Sequence, residues 1–95
     1  MNTPPSLQRC ERLLTELVHT LVDQPHEVQV ETVNTGRTTV FHIQVADVDV
    51  RRIIGRRGRT ADALRVLFGN MAARSGRSYV LEVADSTRFQ RPSAL

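Results

Sequence analysis

Two glycines three positions apart, Gly55 and Gly58, enclose two arginines between two apolar patterns of helical period. No other segment of the chain restricts its fold as tightly. Upstream, Val50, Ile53 and Ile54 form the apolar stripe of a short helix that must stop at Gly55, a residue suited to a left-handed C-cap. Downstream, Ala61, Leu64, Leu67, Phe68, Met71 and Ala72 form the stripe of a longer helix. It begins near Arg59 or Thr60, runs to about Ser75 and ends at Gly76. Asp47 or Asp49 is placed to cap the short helix, since a carboxylate accepts from the free N–H groups of a first turn. Gly69 lies inside the longer helix at a cost of about 1 kcal/mol relative to alanine, which predicts close packing there.

The rest of the chain supplies partners for these helices. Leu7, Cys10, Leu13, Leu14, Leu17, Val18, Leu21 and Val22 recur at steps of three and four, predicting an amphipathic helix that Pro25 terminates. Val28 and Val30 alternate with Glu27, Gln29 and Glu31, the pattern of a half-buried strand. Asn34-Thr35-Gly36-Arg37 reads as a turn. Beyond it Thr39, Phe41, Ile43 and Val45 alternate with Val40, His42 and Gln44, so the two runs form an antiparallel hairpin. A last strand places Tyr79, Leu81 and Val83 opposite Val80, Glu82 and Ala84. Residues 1–5 read as a frayed lead-in, 6–85 as one domain and 86–95 as a mobile tail.

The order is helix-strand-strand-helix-helix-strand. A two-helix crossover between the second and third strands predicts parallel pairing with a right-handed connection. The expected fold class is α+β, a three-stranded mixed sheet with three helices on one face.

Charge separates along this order. Residues 1–50 carry three arginines against seven acidic residues, and residues 51–95 carry ten arginines against three. Every basic residue is arginine, whose planar fork holds phosphate oxygens two at a time and stacks on bases. Such asymmetry points to a polyanionic partner. It is steepest at the glycine pair. Arg51, Arg52, Arg56, Arg57 and Arg59 surround the turn, with no acid between Asp49 and Asp62. Two residues without Cβ atoms let another backbone approach, and the following helix turns its N-terminal amides toward the same spot. A nucleic-acid phosphate backbone suits all of these features.

The pattern V-x-x-I-I-G-R-R-G-R-T-A, in this element order, resembles the KH domain in its type II topology. From about Leu7 to Asp85 the chain is similar to the stand-alone bacterial KH proteins of the KhpA family, including the E-V-x-V and V-L-E-V strands. Arg51 and Arg52 depart from the glycine and basic residue that often precede the I-G step, adding charge beside the loop. The resemblance implies a cleft for about four nucleotides of single-stranded RNA, with Gly55, Arg56, Arg57 and Gly58 clamping the backbone. It implies an apolar floor at Ile54 and Ala61, and an opposite wall from the first strand around Val30 to Val33. It also implies an RNA chaperone or post-transcriptional regulator, associated with a larger KH protein of the KhpB or Jag type and with cell-envelope homeostasis and cell length. A homodimer is a further expected state.

Other chemistries find little support. Aromatic residues make up 4% of the chain and none lies near the loop, against a stacking platform of the RRM or OB kind. His19, His26 and His42 lack metal-ligand spacing, and the single cysteine, Cys10, reads as a reduced core thiol. There is no lysine for a phosphate-binding P-loop and no nucleophile elbow. No enzyme activity, cofactor, metal or small-molecule substrate is therefore expected. The N-terminus lacks the apolar run of a signal peptide, no segment approaches a membrane span, and the expected compartment is the cytoplasm. Two other functions fit parts of the pattern. One is duplex-DNA binding by a helix-turn-helix with the Arg59–Ser75 helix in the major groove; the other is a protein-interaction module using the same fold. Arg88 and Arg91 in the tail read as solvated.

Overall fold

The computed structural model describes residues 5–85. The expected lead-in (apart from Pro5) and tail, with Arg88 and Arg91, lie outside the described residues. Helix α1 spans Pro5–Leu21, beginning on a proline whose missing N–H is no loss in a first turn. A 3₁₀ turn at Pro25–Glu27 leads into β1 (Gln29–Thr35), followed by β2 (Thr38–Val45). A second 3₁₀ turn at Asp47–Asp49 opens into α2 (Val50–Ile54). After the glycine loop come α3 (Arg59–Arg74) and β3 (Ser78–Asp85). The sheet order is β1-β2-β3, with β1 antiparallel and β3 parallel to β2, giving the α+β arrangement of a type II KH fold. No helix among the described residues is long and apolar enough to cross a membrane.

Alternation decides the two faces of the sheet. Thr39, Phe41, Ile43 and Val45 are all buried, and the last three share one core with Leu7, Leu14 and Val18 of α1, Ile53 of α2, and Leu64 and Phe68 of α3. Phe41 meets Phe68 and Tyr79 edge-on, with ring centroids 6.1 and 5.3 Å away, the arrangement aromatic quadrupoles prefer. Cys10 is buried in this core, its Sγ 3.7 Å from the Tyr79 hydroxyl. Burial, reinforced by that contact, pushes the Tyr79 phenol above its ordinary pKa.

Several local expectations change. The hairpin stays paired through Thr35 and Thr38, so only Gly36 and Arg37 connect the strands, with Gly36 at φ +56°. Leu13 and Leu67, at the margins of their stripes, are exposed. Gly69 faces open space, with nothing within 4 Å of where a Cβ would stand; the predicted close packing is absent. Gly76 ends α3 as expected, at φ +69°. The Gly76 N–H donates to Ala73 O and the Arg77 N–H to Ala72 O, the paired bonds of a Schellman motif.

The capping role expected of Asp47 or Asp49 is not what the structure uses. No side chain caps α2. Asp49 is fully buried, and its two carboxylate oxygens each accept a backbone N–H, from Asp23 and from Gln24, at 3.0 Å. The carboxylate thus satisfies amides just beyond the end of α1, which stops at Leu21 before Pro25 is reached. It ties the first helix to the segment that carries the loop.

Candidate nucleic-acid interface

The turn between α2 and α3 is built from backbone conformations that few residues adopt. Gly55 has φ +82° and ψ 171°, a region open essentially to glycine alone and distinct from the left-handed helical cap expected there. Its N–H donates to Arg51 O at 2.7 Å, closing α2. Arg57, at φ 58° and ψ 25°, and Gly58, at φ 75° and ψ 13°, are both left-handed. Among the described residues Arg57 alone takes positive φ without being glycine. The Gly58 N–H donates to Gly55 O at 3.0 Å, folding the loop onto itself.

This fold brings Arg51, Ile54, Gly55, Arg56, Arg57 and Gly58 around one shallow surface depression. Arg51, Arg56 and Arg57 are exposed, and Ile54 is 40% exposed, leaving an apolar patch beside three cations. No side chain caps the first turn of α3, so its amide groups and positive dipole end carry no internal acceptor side chain. Such an arrangement attracts an anion with an adjacent apolar surface, as a nucleotide strand offers with its phosphates and bases.

Not every predicted residue joins it. The Arg52 guanidinium lies 2.9 Å from an Asp23 oxygen and 3.3 Å from an Asp49 oxygen, so it completes the carboxylate clamp behind α2. Arg59 is exposed at the start of α3 without lining the depression. Ala61 is 7% exposed and belongs to the core side of α3. The first strand does not form the opposite wall: β1 sits at the far edge of the sheet against α1, while α2 and α3 lean on β3. The strand edge on the loop side is therefore that of β3. Asp49 was the residue that sequence reasoning assigned least well. A usable signal was present, because it falls four positions before Ile53 and so shares that residue's buried face.

Among the described residues, no three His, Cys, Asp or Glu side chains gather as metal ligands. His42 instead pairs across strands with Glu82, Nδ1 to Oε1 at 3.1 Å.

Comparison with known proteins shows the family. Residues 11–83 match the model of the KhpA/KhpB KH domain. The chain is 40% identical over 73 residues to the RNA-binding protein KhpA of Borreliella burgdorferi, covering 77% of this chain and 89% of that one. It is equally similar, 40% over 73 residues, to KhpA of Streptomyces coelicolor, covering 92% of that protein. Identity to KhpA of Chlamydia pneumoniae is 33% over 75 residues, covering 79% and 96% of the two chains. The chain belongs to the KhpA/KhpB family of KH-domain proteins.

Proposed function

We propose that this protein binds single-stranded RNA, with the phosphate backbone crossing Gly55–Gly58 and the bases lying against Ile54. The observation that carries this reading is the loop itself: two exposed arginines between glycines, at an uncapped helix start, beside an exposed isoleucine. Arg51, Arg56, Arg57 and Arg59 supply the charge, and Arg52 supports the loop from behind. The edge of β3 offers the other border of the cleft. Relatives named as RNA-binding proteins support the choice of RNA over other polyanions.

The cellular reading follows the family. The protein acts as an RNA chaperone or post-transcriptional regulator, alongside a KH protein of the KhpB or Jag type, in cell-envelope and cell-length control. The exposed Val66 and Leu67 on the outer face of α3 support a homodimer as the working state. A cytoplasmic location goes with these roles.

Duplex-DNA binding is the competing function. Ala61, Leu64, Phe68 and Ala72 commit one face of α3 to the core, which limits how deeply that helix can enter a major groove. Competition between single-stranded RNA and duplex DNA of equal length tests the proposal. RNA should win, with a micromolar constant or weaker for a short strand, about −8 kcal/mol or less in magnitude. Preference for the duplex would overturn the reading.

A further inference from the structure

A second basic site lies at the opposite end of the molecule from the loop. There the β1–β2 turn and the α3–β3 turn are joined, the Ser78 N–H donating to Arg37 O at 2.8 Å. Arg77 locks the two turns together. Its guanidinium donates to Thr39 Oγ1, from Nε at 3.3 Å and from Nη2 at 2.8 Å, and to Asn34 Oδ1. The Thr39 hydroxyl, fully buried, donates in turn to Asn34 Oδ1 at 3.2 Å. Arg37 and Arg74 stand exposed on this braced platform. The sequence has no acid between Glu31 and Asp47, and none between Asp62 and Glu82, so neither turn brings a carboxylate of its own. Two of the last α3 carbonyls, those of Ala72 and Ala73, already accept from Arg77 and Gly76.

We infer that Arg37 and Arg74 form a second phosphate-contact site for the same RNA strand, giving a footprint longer than the loop cleft. The inference rests on the proposed RNA binding at the loop. Helix α3 separates the two sites with 16 residues, about 24 Å at 1.5 Å per residue. At the ~3.4 Å per nucleotide of a stacked strand, four nucleotides cover only about 14 Å. A strand that fills the loop cleft therefore ends short of the far turns, and a longer one reaches them. The Arg77–Asn34–Thr39 bracing fixes the two turns relative to each other before RNA arrives, which lowers the backbone ordering cost of the contact.

The test compares RNA strands of about four and about 16 nucleotides on wild type and on the Arg37→Ala, Arg74→Ala double variant. Both substituted side chains are exposed, and circular dichroism establishes that the variant is folded. The variant should bind the short strand like wild type. It should bind the long strand about tenfold more weakly, with a salt slope shallower by about 1.4, the value for two lost contacts to a single strand. Equal weakening on both lengths would overturn the second site and leave a diffuse field effect. No change on either length would also overturn it, and would leave the platform to an acidic protein partner. Wild type that binds neither length would instead overturn the RNA reading itself, so the two failures are distinct.

Discussion

Thr60 packs against Gly55 so closely that a Cβ on the glycine would lie 2.3 Å from the threonine hydroxyl oxygen. The Thr60 backbone nitrogen would lie 2.7 Å from the same point, so shortening the threonine side chain does not make room. The first turn of α3 is thus seated on the glycine that ends α2, and this contact sets how the loop is presented.

Gly55→Ala should therefore destabilise the protein more than Gly58→Ala. The first change forces a residue with a Cβ into glycine-only backbone space, about 1–3 kcal/mol, and adds the collision with Thr60. The second meets no atom within 4 Å and carries only the left-handed cost of about 1–2 kcal/mol. Urea denaturation of both variants checks the order. Equal midpoints would mean that the Thr60 contact relaxes freely. Adding Thr60→Ala to Gly55→Ala should not restore the midpoint.

Asp49 and Arg52 separate stability from binding. Asp49→Ala leaves the amides of Asp23 and Gln24 without their acceptor and should cost about 3 kcal/mol. Arg52→Ala removes a half-exposed partner and should cost less than about 1 kcal/mol. Because the Arg52 guanidinium already faces two carboxylates, its loss should weaken RNA binding less than Arg56→Ala does. Parallel denaturation and RNA titration of the three variants check both statements.

Gly69→Ala should stabilise the fold. The position is helical and exposed with open space around the added methyl group, so the gain is the difference in helix propensity, about 1 kcal/mol. For a domain of this size that raises Tm by about 4–8 °C. A fall in Tm would reveal a contact at Gly69 that a monomer does not contain, as in a homodimer packed through α3.

These cases show which features could be read from residues alone. The alternation of Thr39, Phe41, Ile43 and Val45 identified the buried face because a strand's period leaves no other choice. The stripes of α1 and α3 identified their cores but not their margins, where Leu13 and Leu67 stay exposed. Gly55 and Gly58 marked a special turn, yet not that the first takes φ +82° and ψ 171° with Thr60 packed against it while the second is left-handed at φ +75°. Asp49 looked like a local cap because its nearest free amides in sequence are those of α2. Its actual donors come from 25 and 26 residues away, a distance that no local pattern spans. Arg52 reads as a ligand-facing arginine in sequence because one of its two partners, Asp23, lies on a different segment, and the other, Asp49, three residues upstream, reads as a helix cap. Sheet order was legible, since a β1–β2 hairpin and a parallel β2–β3 pair leave β1 at the edge away from β3. Which edge borders the loop was not, because it depends on how α2 and α3 lean on β3.

Binding of a short strand should depend on salt through the arginines that face it. With Arg51, Arg56, Arg57 and Arg59 meeting phosphates, log K against log salt should fall with a slope of about −2 to −3. Titration across a range of salt concentrations measures it. A flat response would place the arginines away from the ligand.

Arg56→Asp with Arg57→Asp should abolish RNA binding and leave the fold intact. Both side chains are exposed, so neither supports the core. Arg57 holds left-handed backbone at φ 58°, a conformation in which aspartate is several-fold enriched over other residues with a side chain, and the α3 start beside it favours negative charge. Stability should thus change by less than about 0.5 kcal/mol. The substitution removes two charge-assisted contacts and sets two carboxylates against the phosphates, so the loss should exceed that of the double alanine variant. Arg57→Gly gives a control that alters geometry in the other sense. It relieves the left-handed strain, so it should hold or raise the melting temperature while still weakening RNA binding by the loss of one contact. Melting curves and RNA titrations on wild type and the three variants decide the matter. A folded double aspartate variant that binds RNA like wild type would remove the loop from the mechanism. A folded Arg57→Gly variant with undiminished affinity would assign the backbone clamp to the loop's amides and to Arg56 alone.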